Sequence, residues 1–268
     1  MLLRGKRALI MGVANKRSIA WGIATAFHRE GAELAFTYQN ERLKANLDEL
    51  LDTLGGRERF LALPCDVTSD EQLDQAFGTL RERWDRLDAV AHCIAYAGRE
   101  ELARPFHEIS RSGFALALDV SAYSLIAVAR HAAPLMTAGG SILTLTYNAV
   151  ERVVPAYGVM AVAKAALETA VRYLAADLGP RQIRVNAISA GPLRTLAGSA
   201  VRGISRLRDL TEELAPLRRN ITQEDVGDAA VFLASDLARA VTGVVLFVDS
   251  GFHVMAVPAA LEGAPAAE

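Results

Sequence analysis

Ile142-Leu-Thr-Leu-Thr-Tyr147 and, after a short connector, Pro155-Ala-Tyr157-Gly-Val-Met160-Ala-Val-Ala-Lys164-Ala-Ala-Leu-Glu168 are the segments on which the reading of this chain turns. The first is apolar and β-branched after Gly139-Gly140, the character of a buried strand. The second is alanine-rich with no breaker after Gly158 and reads as a helix. The strand delivers Tyr147 at its carboxyl end, the edge where open α/β sheets hold ligands. Tyr157 and Lys164 are close to two helical turns apart, so they share one face at a separation of roughly 10 Å. Two phenols and one ammonium would then converge on one cleft. A phenol, with a reference pKa of about 10, stays neutral near pH 7 and can donate a proton, and a nearby lysine is expected to ease its ionisation. Taken alone, the stretch fits packing tyrosines and a surface lysine equally well, so the rest of the chain has to decide.

Outward from this centre, strands alternate with helices in units of about thirty residues. Strands are expected at Arg7 to Met11, Glu33 to Thr37, Phe60 to Cys65, Leu87 to Ala95, Ser141 to Thr146, Arg184 to Ile188 and Val244 to Val248. Helices are expected at Ser18 to Arg29, Glu41 to Leu54, Ser69 to Trp84, Tyr157 to Leu178 and Thr222 to Ser235, with a long region from Ser110 to Met136 broken near Asp119. The pattern predicts an α/β, Rossmann-like, doubly wound parallel sheet of about seven strands with helices on both faces. No linker, charge block or repeat divides it. A single dinucleotide-binding catalytic domain over residues 1–257 is expected, followed by a disordered tail at 258–268.

With 268 residues, half of them apolar, the chain can build one large core. A formal charge of −2 offers no footprint for nucleic acid. Cys65 and Cys93 lie in apolar runs without CxxC spacing, as buried thiols of a reducing cytoplasm do. The five histidines never approach metal-ligand spacing, so no metal is expected. The apolar run after Lys6-Arg7 is too short for a signal peptide and lacks a small-residue cleavage site, and no uninterrupted apolar stretch approaches the 18 or so residues of a membrane span.

The first strand–loop–helix, Ile10-Met-Gly12-Val-Ala14-Asn-Lys-Arg-Ser18-Ile19-Ala20, carries small residues that let a backbone approach a pyrophosphate at a helix amino terminus. It lacks the full GxGxxG and is weak evidence by itself. Thr37-Tyr38-Gln39 falls where an adenosine ribose would lie, and Asp66-Val67 where an adenine edge would. Neither position has the arginine pair that invites a 2′-phosphate, although Arg42 and Lys44 are close, so NADH is favoured over NADPH.

With these residues assembled, the chain resembles the NADH-dependent enoyl-acyl carrier protein reductases of bacterial type II fatty acid synthesis, a divergent branch of the short-chain dehydrogenase/reductases. The matching stretches are Gly12-Val-Ala-x3-Ser18-Ile-Ala20, Gly31 to Asn40, Cys65-Asp66-Val67, Thr144-Leu-Thr-Tyr147, Glu151-Arg152, Tyr157-x6-Lys164, Arg184 to Pro192, Arg194-Thr195-Leu196 and Glu224-Asp225-Val226-Gly227. They span nearly the whole chain. Ordinary short-chain reductases carry Tyr-x3-Lys, which would need a tyrosine where this chain has Met160.

The resemblance implies reduction of a trans-2-enoyl thioester on acyl carrier protein by NADH. It implies that Tyr157 hydrogen-bonds the thioester oxygen, that Lys164 holds the nicotinamide ribose, and that Tyr147 stands beside the substrate. Cofactor contacts carry over to Gly12, Ala14, Ser18, Ile19, Gln39, Asp66, Val67, Ile94, Ala95, Gly191, Pro192, Leu193 and Thr195. Substrate contacts carry over to Ala95, Met160 and Ala197 beside the two tyrosines. A flap over about 195–217 would close the site, its Arg202, Arg206 and Arg208 facing either the acidic carrier protein or solvent. A homotetramer is also implied.

Departures from the family pattern are Ala95 where glycine is usual, Asn148-Ala149 after the first tyrosine, Asp249-Ser250-Gly251 near the carboxyl end, and the loop from Ala97 to His107. The Ala95 methyl is expected to weaken flat aromatic ligands that stack on the nicotinamide. Two rivals stay open: a carbonyl reductase of the same fold, against which Met160 speaks, and a non-catalytic NADH-binding protein, against which the joint presence of Tyr147, Tyr157 and Lys164 speaks.

Overall fold

Burial is nearly continuous along the central strands, and the alternation of side chains sorts them onto two cores. A computed structural model describes residues 1–195 and 204–256. Among these, seven parallel strands form one sheet in the order β3-β2-β1-β4-β5-β6-β7. They are β1 (Arg7–Met11), β2 (Glu33–Tyr38), β3 (Leu61–Pro64), β4 (Ala89–His92), β5 (Gly140–Thr146), β6 (Ile183–Ala190) and β7 (Val245–Val248). Leu9, Met11, Val90, Ile142 and Val185 face one side, while Ala8, Ile10, Ala91, Leu143 and Ile188 face the other. Both faces being apolar is what a parallel sheet covered by helices on each side requires.

On the first side lie α3 (Asp70–Arg83), α6 (Ser124–Ala132) and α7 (Gly158–Leu178), contributing Phe77, Leu80, Leu125, Val128, Leu167 and Val171. On the second lie α1 (Ile19–Arg29), α2 (Glu41–Asp52) and α9 (Gln223–Ala234), contributing Ile23, Phe27, Leu47, Leu51, Val226 and Val231. The short α4 (Arg99–Ala103), α5 (Arg111–Leu118) and α8 (Ile204–Leu214) complete the helices of the described residues. Ser69 caps α3 by accepting from the Gln72 N–H, as its spacing predicts, and Thr222 with Asp225 forms a capping box on α9.

The chain winds outward from β1 through β2 to β3 and then restarts at β4 on the other side of β1. That reversal opens a crevice at the carboxyl ends of β1 and β4. Gly12, the first residue after β1, sits there with φ +93°, and a Cβ on it would lie 2.2 Å from the Cys93 carbonyl oxygen beyond β4. Only glycine fits.

Two sequence expectations need correction. The helical region after Ser110 does not break at Asp119; it passes from α5 to α6 through a π-helical turn at Asp119–Tyr123. That run, Arg111–Leu135, is long and apolar enough to cross a membrane by length and composition alone, although Asp119 and Arg130 interrupt its apolar stretch. Here it is a core helix: Leu125 and Val128 pack on the sheet while Leu116, Tyr123 and Ile126 are exposed. Predicted strand ends also move, β4 in particular stopping at His92 rather than Ala95.

Ser250 departs from ideal backbone geometry. It has φ +59°, is buried, and its hydroxyl has no hydrogen-bond partner. A side chain in the left-handed region and an unsatisfied buried hydroxyl both cost stability. Ser250→Gly is therefore expected to stabilise the fold by about 1 kcal/mol. The urea midpoint should rise at constant slope, and a fall would contradict the assignment.

Candidate active site

Six strand ends and the amino end of α7 build one site at the carboxyl edge of the sheet. Tyr147 directly follows β5 and Tyr157 directly precedes α7. Their rings meet edge to face, with centroids 5.1 Å apart and planes at 67°, an arrangement the ring quadrupoles favour. Lys164, one and a half turns into α7 and 5% exposed, donates from Nζ to the Leu145 carbonyl at 2.8 Å. The two phenols meet as expected; Lys164 lies on the helix that Tyr157 opens, its ammonium bonded to the strand that Tyr147 follows.

Their electrostatics are different from the expectation. Burial pushes the Tyr147 phenol up to about 12, with the Asp249 carboxylate adding to it. Burial, then Tyr147, pushes Tyr157 up as well. Lysine does not ease either ionisation; both phenols are held as neutral donors. Burial lowers Lys164 to about 8, against the opposing pull of Cys93 and Glu168. Low dielectric penalises every charged form, and that effect prevails over partner charges here.

Behind the lysine, His92 at the end of β4 is fully buried. Its Nδ1 lies 3.1 Å from the Thr144 hydroxyl and its Nε2 2.8 Å from the Ser124 hydroxyl. Ser124 already donates to the Val120 carbonyl at 2.7 Å, so Nε2 carries the proton and donates to Ser124. In the adjoining π turn, Ser121 Oγ accepts from the Tyr96 N–H at 3.0 Å and lies 3.1 Å from the Tyr96 carbonyl, which pins the loop after β4 carrying Ile94 and Ala95. Ala95 is exposed toward the edge. Met160 is buried in a small apolar cluster with Leu102, Ala117 and Val159, against which Tyr157 packs.

At the β1 side, the Ser18 hydroxyl accepts from the backbone N–H of both Ala14 and Asn15 at 3.0 Å. It therefore does not cap α1, whose amino terminus has no side-chain cap. The first N–H groups of α1, at Ile19 and Ala20, are left for an anion at the positive end of the helix. Asn46 Nδ2 donates to the Ala14 carbonyl at 3.0 Å and fixes the loop from α2. At the ends of β2 and β3, Gln39 Nε2 donates to Asp66 Oδ2 at 2.9 Å. Partial burial pushes the Asp66 carboxyl up, but bonds from Thr68 and Gln39 outweigh it and leave it below its usual value. Val67 is buried beside it. Lys44, close to a would-be 2′-phosphate, is committed to Asp48 at 2.6 Å. Small loop, uncapped helix and a ribose end whose Gln39 is tied to the acidic Asp66 fit a dinucleotide without a 2′-phosphate.

At the β6 end, Gly191 and Pro192 are buried and a Cβ on Gly191 would lie 3.1 Å from Asp249 Cα and Cβ. Leu193 and Thr195 are half-buried, with the Thr195 N–H donating to the Leu193 carbonyl at 2.9 Å. Asp249 Oδ1 in turn lies 2.9 Å from His253 Nδ1. Of the flap, Ala197 and Arg202 lie outside the described residues. Arg206 on α8 is exposed; Arg208, two residues on and so on another face, is half-buried. Sequence reasoning missed the contacts of His92, Ser121, Asn46 and Glu168, whose partners are far away in sequence, and that of Asp249 with His253 four residues on.

The His92 proton has a stability consequence. Burial, then Lys164, lowers its pKa to about 3. Below pH of about 6.5 the unfolded chain takes up a proton that the folded one refuses, so stability present above that pH is lost progressively as pH falls toward 3, on the order of a few kcal/mol. His92→Gln is expected to flatten the dependence of stability on pH between about 4 and 6.5. An unchanged slope would contradict this state of the ring.

Comparison with known proteins agrees with the geometry. A family model described as enoyl-(acyl carrier protein) reductase matches residues 12–253. The enoyl-[acyl-carrier-protein] reductase [NADH] of Bacillus cereus is 58% identical over 95% of this chain and 99% of its own. That of Nostoc sp. is 52% identical over 94% and 98%. A crystal structure of the Bacillus cereus reductase with NADP+ and indole naphthyridinone superposes with a TM-score of 0.93 at 57% identity, covering 96% of this chain and 99% of that one. A reductase from Anaplasma phagocytophilum in complex with NAD gives 0.91 at 46% identity, covering 97% and 96%.

Proposed function

We propose a division of labour at the carboxyl edge of the sheet for this chain, which belongs to the enoyl-(acyl carrier protein) reductase family. The chain is an NADH-dependent oxidoreductase of fatty acid synthesis that reduces the trans-2 double bond of enoyl thioesters on acyl carrier protein. The observation that carries the residue assignments is the half-buried, edge-to-face tyrosine pair at the end of β5 and the start of α7, with the buried Lys164 on that same helix and Met160 where a carbonyl reductase would place its phenol.

NADH, when bound, supplies the hydride that goes to the β-carbon of the enoyl group. The electron pair of the double bond then moves toward the thioester, and negative charge collects on its oxygen. Tyr157 meets that charge as a neutral donor. Because burial holds its proton well above neutral pH, the hydroxyl is always available to donate, and a preoriented donor stabilises developing charge most in a site that excludes water. Tyr147, edge-on to it, restrains the Tyr157 ring and closes the pocket. Lys164 would exchange the Leu145 carbonyl for the nicotinamide ribose hydroxyls, orienting the ring with the three donors of its ammonium. Ser18 holds the loop so that the Ile19 and Ala20 N–H groups receive the pyrophosphate. Gln39, Asp66 and Val67 receive the adenosine end, and Ile94, Ala95, Gly191, Pro192, Leu193 and Thr195 the nicotinamide end.

Carrier docking falls to Arg206, the exposed arginine of α8, with Arg208 turned partly inward. The apolar strip Leu116, Tyr123 and Ile126 supports a homotetramer, since a second copy would cover it. Free thiols at Cys65 and Cys93 suit a cytoplasmic location.

The test is NADH oxidation with trans-2-enoyl and 3-oxoacyl thioesters, on carrier protein and on coenzyme A. Enoyl turnover is expected, with Tyr157→Phe lowering kcat by about 10²–10³-fold and Lys164→Ala abolishing productive NADH binding. Arg206→Ala should raise KM on the carrier-protein substrate alone; an equal effect on both would remove the docking role. Turnover restricted to 3-oxoacyl thioesters, or NADH binding without turnover, would overturn the assignment.

A further inference from the structure

Two hydrogen bonds from neighbouring residues of β5 reach one face of α7. Lys164 Nζ donates to the Leu145 carbonyl at 2.8 Å, and the Thr146 hydroxyl donates to Glu168 Oε1 at 2.6 Å. Lys164 and Glu168 are four residues apart, hence one above the other on the helix. Successive strand residues point to opposite faces, so Leu145 offers its backbone and Thr146 its side chain to the same helix. Tyr147 is the next residue. Thr146 is buried and Glu168 half-buried, so both bonds lie in low dielectric, where a charge-assisted hydrogen bond is strong and a lost partner costs most.

We propose that Glu168 is a positioning residue for the reduction: it anchors the carboxyl end of β5, and with it Tyr147, through the Thr146 hydroxyl, and it supplies the counter-charge that keeps Lys164 an ammonium. This rests on the roles given above to Tyr147, Tyr157 and Lys164. The carboxylate is the acidic group on the helix face of the lysine. From the other elements packed around Lys164 come His92, neutral and donating to Ser124, and the Cys93 thiol, which burial holds protonated at neutral pH and pushes up to about 12. Neither carries the negative charge that a buried ammonium needs. Around Glu168 stand Arg172 on the same helix and Glu151 after β5; burial raises the carboxyl, the Thr146 bond and Arg172 pull it down, Glu151 raises it and Lys164 lowers it. Glu168 and Lys164 favour each other's charged form.

Glu168→Gln keeps the size of the side chain and an acceptor for Thr146 but removes the charge. Thr146→Val keeps the charge and removes the bond. NADH affinity, read by fluorescence of the bound nucleotide, and NADH oxidation with a trans-2-enoyl thioester are followed from about pH 6 to 10 for both variants beside the wild type, with thermal unfolding to confirm that each is folded. Wild-type affinity is expected to fall as Lys164 loses its proton. In Glu168→Gln that fall moves to lower pH by about half a unit or more. Thr146→Val leaves the position of the fall unchanged and lowers kcat more than it raises KM for NADH. Superimposed alkaline limbs for Glu168→Gln and wild type overturn the proposal, as does wild-type affinity flat across that range. Failure of the underlying reading looks different: Lys164→Ala then retains turnover, or the wild type reduces no enoyl thioester.

Discussion

A single buried ammonium constrains the carboxyl edge of this sheet. Lys164 is 5% exposed and bonds the Leu145 carbonyl; everything near it is arranged so that its charge can be tolerated without exposure to water. Moving a charge into low dielectric costs several kcal/mol unless neighbours offset it. The fold meets that cost locally, with a backbone carbonyl on β5 and a carboxylate on the next turn of α7. The same burial keeps His92 neutral and both phenols protonated. One physical cause, desolvation, thus sets four protonation states in directions that suit a donor site: two neutral phenols, a neutral imidazole and a lysine close to its titration point.

The second constraint is proximity. The crevice exists because the chain restarts at β4 beside β1, and its narrowness shows in Gly12, where any Cβ would collide with the Cys93 carbonyl. Close approach recurs between α1 and α9, where a Cβ on Gly227 would lie 2.6 Å from the Gly22 carbonyl. Small residues at these points let α1 sit low on the sheet and aim its amino terminus into the crevice. Ser18 then matters less as a helix cap than as the knot that ties Ala14 and Asn15. By turning away from α1 its hydroxyl leaves the helix dipole uncompensated, which is the condition for binding an anion there.

Much of this was visible in sequence because it is local. Strand and helix periodicity placed all seven strands, and the seven-residue spacing from Tyr157 to Lys164 put both at the amino end of one helix, α7. What stayed hidden depends on contacts between distant residues. The hydroxyls that satisfy His92 come from positions 32 and 52 residues away. No local pattern distinguishes a serine that caps α1 from one that ties a loop, or a helix that breaks at Asp119 from one that widens into a π turn. The Tyr157 shift runs opposite to the expected one for the same reason: spacing suggests a lysine neighbour, but the burial and the Tyr147 phenol that raise it emerge only from packing.

Protonation of Tyr157 is therefore where the mechanism is most directly exposed to experiment. Difference-absorbance titration of wild type against Tyr157→Phe isolates the phenolate signal of that one residue. A buried neutral donor should show no Tyr157 phenolate up to pH of about 10, the midpoint of a free phenol. A phenolate forming below that pH would mean that Lys164 does ease its ionisation, and Tyr157 could not serve as the standing donor to the thioester oxygen.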